Sequence, residues 1–238
     1  MFPDKYLYLI LMLGSLAYPL LQSFERRVSI YKKWKHMFPA ILITAGFFII
    51  WDEFFTRIGV WSFNDKYTLG IYIGSLPLEE WLFFIVVPYC CFFVYFVADY
   101  FIKRDIFRDS NRGIAIVLSI ILIVVSVIYR DRWYTSVTCI LPALLLLYLV
   151  FVARVKYLGR FFQGYLFSLI PFILVNGVLT QKPVVIYNNL ENSGIRINIP
   201  YISNIPVEDL AYCLFLLLMS ISLYEMFAAR NKRDIPLR

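Results

Sequence analysis

The sequence predicts an all-α membrane protein with about seven transmembrane helices. Of its 238 residues, 61% are hydrophobic and 16% are charged, whereas soluble domains carry roughly 25% charged residues. Seven apolar runs without Lys or Arg approach the roughly 20 residues that a helix needs to cross the hydrocarbon core. These runs are Tyr6 to Phe24, Phe38 to Phe55, Trp81 to Ile102, Gly113 to Tyr129, Trp133 to Val152, Phe161 to Leu179 and Val207 to Ala229.

Taken in chain order, the spans differ in what flanks them. The first span follows no basic segment and precedes no small-residue cleavage site, so we expect a retained helix. The second ends at Asp52 and Glu53, and the third begins within Pro77-Leu78-Glu79-Glu80. The fourth connects two halves, and the seventh begins within Pro206-Val207-Glu208-Asp209. Acidic residues therefore stand at several span ends that share one side of the membrane.

The basic residues predict which side that is. The loops after spans one, three and five, together with the C-terminal tail, carry 16 of the 23 Lys and Arg residues. By the positive-inside rule these segments are cytoplasmic, so the N-terminus and the long loops 57–77 and 181–206 face outward. The basic residues that give the net charge of +7 lie beside span ends, where anionic headgroups are the nearest partner. We therefore expect no nucleic-acid binding.

Two related halves are visible in the sequence. Asp52, Thr56, Asn64, Gly70, Ile71 and Ile73 recur 124 positions later as Asn176, Thr180, Asn188, Gly194, Ile195 and Ile197. The acidic motif at the third span recurs 129 positions later at the seventh. We interpret residues 1–238 as one transmembrane domain, with a first repeat half at 1–112, a connector span at 113–132 and a second half at 133–238. Spans one and five run in the same direction, so the repeat is parallel.

Both outer loops are expected to form hairpins over the mouth of the helix bundle. In the first loop, Val60 to Asn64 and Thr68 to Ile73 flank a turn; in the second, Pro183 to Tyr187 and Ile195 to Ile199 flank a longer one.

The repeated acids are the candidate catalytic residues: Glu79, Glu80, Glu208 and Asp209. Ionisable groups at membrane depth are costly and usually functional. Carboxylates also favour the first turn of a helix because of its dipole, so capping is the alternative. The occurrence of two copies favours function, and Glu79 and Glu208 are expected to be the most sensitive positions.

Many aromatic residues lie at the same membrane level as the repeated acids. They suggest a pocket for a cationic intermediate, because ring faces attract cations. An interfacial belt of Trp and Tyr explains part of this crowding. The candidate substrate-binding residues are Trp51, Asp52, Trp61, Trp81, Phe84, Asn176 and Tyr212.

The sequence lacks the usual motifs for dinucleotides, P-loop phosphates, magnesium diphosphate, zinc hydrolysis and nucleophilic serines. The four cysteines lie inside spans without ligand spacing, so we expect neither a metal site nor a cofactor.

The stretches Pro77-Leu78-Glu79-Glu80-Trp81-Leu82-Phe83-Phe84, Pro206-Val207-Glu208-Asp209 and Gly59-Val60-Trp61-Ser62-Phe63-Asn64 resemble the membrane lycopene cyclase family that works without flavin. That family occurs as two small subunits, as one fused chain, or as a domain joined to phytoene synthase, and this chain is similar to the fused form. Asp209 departs from the first copy, which has Glu80 at that place.

The resemblance implies cyclisation of lycopene, or a related linear carotene, to β-ionone rings by the acid set, in a multi-pass protein of the cell membrane such as the bacterial inner membrane. It also implies contact with membrane lipid and leaves association with other carotenoid-pathway enzymes open.

Two other classes stay open at this point. A seven-helix carotenoid- or retinal-binding receptor or pump fits the span count, but Val207 to Ala229 contains no Lys for a Schiff base. A small secondary transporter fits the repeat, but few polar residues lie at mid-membrane.

Overall fold

The computed structural model describes residues 4–233, with side chains to residue 230, so Lys232, Arg233 and Arg238 of the basic tail lie outside the described side chains. Seven α-helices make up most of it. They are α1 (Leu7–Gln22), α2 (Trp34–Arg57), α3 (Leu78–Phe101), α4 (Asn111–Ile128), α5 (Trp133–Leu147), α6 (Leu158–Gln181) and α7 (Glu208–Arg233).

Six of these helices are long and apolar enough to cross a membrane, namely α2 to α7, with α5 extended by a π-helical turn at Tyr148–Val152. Helix α1 is shorter, with 16 residues. The prediction of a helical, multi-pass membrane protein is confirmed. The side of the membrane on which each loop lies stays a prediction.

The helices pack in equivalent pairs. Helix α1 packs on α3 and α5 packs on α7, while α2 packs on α7 and α6 packs on α3. If α1, α2 and α3 correspond to α5, α6 and α7, each contact has its counterpart in the other half. Helix α4 packs along α5. The division into two halves stays a prediction, and this arrangement supports it.

Six short strands lie in the two loops at one end of the bundle: β1 (Trp61–Phe63), β2 (Tyr72–Ile73), β3 (Leu76–Pro77), β4 (Val185–Tyr187), β5 (Arg196–Ile199) and β6 (Ser203–Pro206). The predicted hairpins within each loop are wrong in their pairing. Strand β1 pairs with β4 of the other loop, whereas β2 pairs with β3 and β5 pairs with β6, all antiparallel.

The β1–β4 pair joins the two loops reciprocally. The Asn64 N–H donates to the Val184 carbonyl at 2.9 Å, and the Asn188 N–H donates to the Val60 carbonyl at 2.8 Å. Each residue in one bond lies 124 positions from its counterpart in the other. The repeat-related segments therefore pair with each other, because the arrangement of the helices brings them together at the centre of the bundle.

Candidate active site

The site lies where four helix ends meet under the β1–β4 pair. Helices α2 and α6 end there and α3 and α7 begin there, so their polar terminal residues converge. The cavity there has a volume of about 50 Å³, well below the roughly 300–1,000 Å³ that is usual for small-molecule sites, so side chains must move apart to admit a ligand. It is lined by Tyr8, Asp52, Trp61, Phe63, Glu80, Phe83, Tyr134, Phe172, Asn176, Leu179, Val185, Tyr187, Asp209 and Tyr212.

Glu80 and Asp52 form the acidic side contributed by the first half. The Tyr8 hydroxyl donates a 2.6 Å hydrogen bond to Oε2 of Glu80. Asp52 is 3% exposed, and within residues 4–233 its Oδ2 atom has no hydrogen-bond partner. Asp52 and Glu80 therefore bring two carboxyl groups with few hydrogen-bond donors to the same side of the cavity.

Asp209, from the second half, is surrounded by donors. The Tyr134 hydroxyl donates to Oδ1 at 2.5 Å, and Oδ2 accepts from Asn176 Nδ2 at 2.7 Å and from the Tyr187 hydroxyl at 2.9 Å. Three donors to one carboxylate favour its charged form. Asp209 thus has more donors than either Asp52 or Glu80, with which it shares the lining of the cavity.

Tyr187 belongs to β4, outside the helices that span the membrane. Burial, followed by the neighbouring Asp209 carboxylate, raises the pKa of Tyr187 well above its ordinary value. The hydroxyl therefore keeps its proton at neutral pH and acts as a donor to Asp209.

Glu79 and Glu208 have a different environment. Oε1 of Glu79 accepts the Leu69 N–H at 2.7 Å, and Oε1 of Glu208 accepts the Ser193 N–H at 2.6 Å and the Thr135 hydroxyl at 2.6 Å. Leu69 and Ser193 are themselves 124 residues apart. The first acid of each pair therefore fixes an outer loop, and the second faces the cavity.

The hydrogen bonds of the four acids indicate whether these residues cap their own helices. The N-cap residue of α3, Pro77, makes no side-chain cap hydrogen bond. The contacts described for all four acids join them to other helices or loops and not to their own first turns. This geometry favours roles in tertiary structure and chemistry over helix capping.

The predicted substrate-binding residues are only partly brought together. Asp52, Trp61, Asn176 and Tyr212 line the cavity. Trp51 lies behind Tyr212, with ring centroids 5.5 Å apart, and Phe84 packs against Phe48 at 6.2 Å. The Trp81 indole donates to the Ile73 carbonyl at 3.3 Å and so supports the β2–β3 hairpin.

The sequence-based set omits Tyr8 and Tyr134, which donate to Glu80 and Asp209, and the rings of Phe63, Phe83 and Phe172. Tyr8 and Tyr134 lie 126 positions apart near the starts of the first and fifth spans. This spacing lies between the repeat offsets of 124 and 129, which is the only signal in the sequence that relates the two residues.

Comparison with known proteins adds an independent observation. A family model described as lycopene cyclase matches residues 5–98 and 131–227, so the unmatched stretch between contains α4. A segment of 75 residues is 28% identical to a bifunctional lycopene cyclase/phytoene synthase of Pyrenophora tritici-repentis. That segment covers 32% of this chain and 13% of the fungal protein. No solved structure matches the chain.

Proposed function

The chain belongs to the lycopene cyclase family, and we propose that it is a lycopene β-cyclase. The observation that carries this proposal is the pair of buried carboxyl groups, Glu80 and Asp209, which face one aromatic cavity from opposite halves. The reaction proposed is an isomerisation: it closes open ends of lycopene into β-ionone rings without net oxidation or reduction.

The chemistry requires one acid and one base. The acid adds a proton to C2 of the terminal C1=C2 bond, which leaves a cation at C1. The C5=C6 bond then attacks C1, forms the C1–C6 bond and moves the cation to C5. Loss of the C6 proton to the base restores the C5=C6 double bond. One proton enters and one leaves, so the cycle is balanced once the base returns its proton to the acid.

The hydrogen bonds suggest which residue has which role. We assign the acid to Glu80, because it shares the sparsely bonded first-half side with Asp52, where one proton is retained. Asp209 is the base, since its three donors favour the carboxylate. Asp52 is a positioning residue that keeps Glu80 protonated.

The cation is stabilised by the surrounding rings. Trp61, Phe83 and Phe172 line the cavity together with Tyr212, and a cation within about 6 Å of a ring face is attracted by the ring quadrupole. The same rings exclude water, which would otherwise trap the cation as an alcohol.

The substrate class and location follow from the surroundings of the site. Lycopene, or a related linear carotene, dissolves in the hydrocarbon core that surrounds α2 to α7, so we propose a multi-pass protein of the cell membrane. Lipid is the medium through which the substrate arrives, and enzymes that make the carotene are the partners expected nearby.

The test is co-expression with lycopene-forming enzymes in a bacterium that lacks carotenoids. We expect red cells to turn yellow-orange and chromatography to show γ- or β-carotene. The matched control is the double variant Glu80→Gln, Asp209→Asn, which should leave lycopene. Unchanged lycopene with wild-type protein present in the membrane would contradict the proposal.

A further inference from the structure

A second cavity adjoins the acid cavity between α1, α3 and α6. It has a volume of about 40 Å³, and we call it the α3/α6 cavity. Its walls are almost entirely apolar and include Ser15 of α1, Cys90 of α3 and Val175 of α6.

The two cavities are separate but share three wall residues. Phe83, Phe172 and Asn176 line both of them. Asn176 also donates to Asp209. This residue therefore contacts the carboxylate on one side and faces the apolar space on the other. A molecule in the α3/α6 cavity would therefore be separated from the acid–base pair by these three side chains.

The α3/α6 cavity leads into the depth of the membrane. Cys90 lies ten residues after Glu80 on α3, which is about 15 Å at 1.5 Å per residue. The hydrocarbon core is roughly 30 Å thick. The cavity thus runs from the level of the acids to near the bilayer centre, along the direction of the helices.

We propose that the side chains around the α3/α6 cavity part to admit the segment of the carotene's polyene next to its reacting end, while that open end lies between Glu80 and Asp209. This inference rests on the proposed function. A hydrocarbon with no polar group suits these apolar walls, which offer no charge to desolvate.

The corresponding space in the other half is filled. By the repeat offsets, the counterparts of Val175, Phe172 and Phe83 are Trp51, Phe48 and Tyr212. The Tyr212 ring lies 5.0 Å from Phe48 and 5.5 Å from Trp51, and Phe48 and Trp51 stack at 5.6 Å. The carotene therefore enters on the α3/α6 side, and each turnover closes one end.

The first test narrows the cavity with the residue found in the other half. Val175→Trp should lower cyclisation of lycopene at least tenfold, with normal protein in the membrane. The matched control is Leu174→Trp on the neighbouring position, which is 55% exposed on the outer surface of α6 and should cyclise like wild type. Full activity of Val175→Trp at normal membrane level would contradict the proposal.

The second test measures binding of lycopene. It requires neither turnover nor a folded tryptophan variant. In lipid nanodiscs, the Glu80→Gln protein would be labelled at Cys90 with an apolar maleimide, with and without lycopene. We expect lycopene to slow labelling of Cys90 several-fold, but not labelling of a Leu174→Cys control on the lipid side.

The outcomes separate the two levels of the proposal. If wild-type protein leaves lycopene unchanged, the proposed function fails whatever happens at Cys90. If wild type cyclises lycopene while Cys90 remains unprotected, the enzyme stands and the α3/α6 cavity is not the polyene site.

Discussion

Glu79 and Glu80 are neighbours in the chain, but they point to different surroundings. Consecutive residues of an α-helix are about 100° apart around its axis, so Glu79 meets the Leu69 N–H of the loop while Glu80 meets Tyr8 and the cavity. Glu208 and Asp209 repeat this division on α7. The sequence-based ranking placed Glu79 and Glu208 first, and the geometry favours the reverse.

Glu80→Gln and Glu79→Gln form a matched pair that decides this ranking. Glu80→Gln removes the proposed acid and should lower turnover on the order of 10²–10⁴-fold at near-normal protein level, as loss of a positioned acid does. Glu79→Gln changes only the acceptor of the hydrogen bond to the loop, at a cost of about 1 kcal/mol, and should retain most turnover. Carotene composition per amount of membrane protein is the measurement, and equal losses in both would contradict the division.

Asn176→Asp tests the proposed base. The substitution keeps the shape of the side chain but replaces the donor to Asp209 Oδ2 with a second carboxyl group. Two carboxyls at this distance would share a proton, and the base would be neutral. We expect turnover to fall on the order of 10²-fold or more, measured as lycopene remaining after a fixed time.

Asn176→Ala is the comparison for that variant. It removes one of three donors without adding a carboxyl, so its loss should be clearly smaller. Equal activity of Asn176→Asp and wild type would show that Asp209 does not act as the base.

The sequence could predict the acids because carboxyl groups inside apolar spans stand out. It could not predict Tyr8 and Tyr134, because a Tyr near a span end is equally typical of the interfacial belt. Only the packing of α1 on α3 and of α5 on α7 brings these hydroxyls to Glu80 and Asp209.

At the scale of elements, the pairing of β1 shows what local patterns miss. Gly74-Ser75 is a two-residue turn with positive φ at Gly74, and it closes the β2–β3 hairpin. This dipeptide was visible in the sequence and argues for a hairpin over residues 72–77. With β2 paired to β3, β1 is left to pair with β4, a contact between distant segments that no local signal encodes.

A cysteine pair across the β1–β4 strands tests this register. Ser62 lies opposite Ile186, and directly paired residues have Cα atoms about 5.5 Å or less apart, within reach of a disulfide. Ser62→Cys with Ile186→Cys should form a disulfide under mild oxidation, seen as a mobility shift after proteolysis between the halves. Ser62→Cys with Ile73→Cys is the control that should not.

The oxidised protein should also remain active, because the carotene is proposed to enter between helices and not through the β1–β4 pair. Activity lost on oxidation and regained on reduction would show that these strands must separate during turnover.

At the scale of the whole molecule, neither half contains a complete site. Asp52 and Glu80 come from the first half, whereas Asn176 and Asp209 come from the second. Helix α2 packs on α7 and α6 packs on α3, so the interface between halves is also the wall of the cavity.

Division of the chain in the α3–α4 loop tests this dependence. Residues 1–104 and 105–238, expressed together, should assemble in the membrane and cyclise lycopene, because the contacts between halves are tertiary and not covalent. Each fragment alone should leave lycopene unchanged. Activity of one fragment alone would mean that a single half carries the reaction.

Composition was sufficient to predict a membrane protein, since α2 to α7 correspond to long apolar runs. The sequence could not predict how the two halves pack together, because this packing depends on how complementary helix surfaces fit. The repeat offsets nevertheless indicated which helices should be equivalent.

The short helix α1 has a consequence for the lipid around the enzyme. Its 16 residues span about 24 Å, so its α-helical part falls several ångströms short of a core of roughly 30 Å. A bilayer accommodates such hydrophobic mismatch by thinning locally. Because Ser15 of α1 lines the α3/α6 cavity, any such thinning around α1 would lie beside the proposed entrance. Acyl-chain length would then tune how easily a carotene leaves the bilayer for the enzyme.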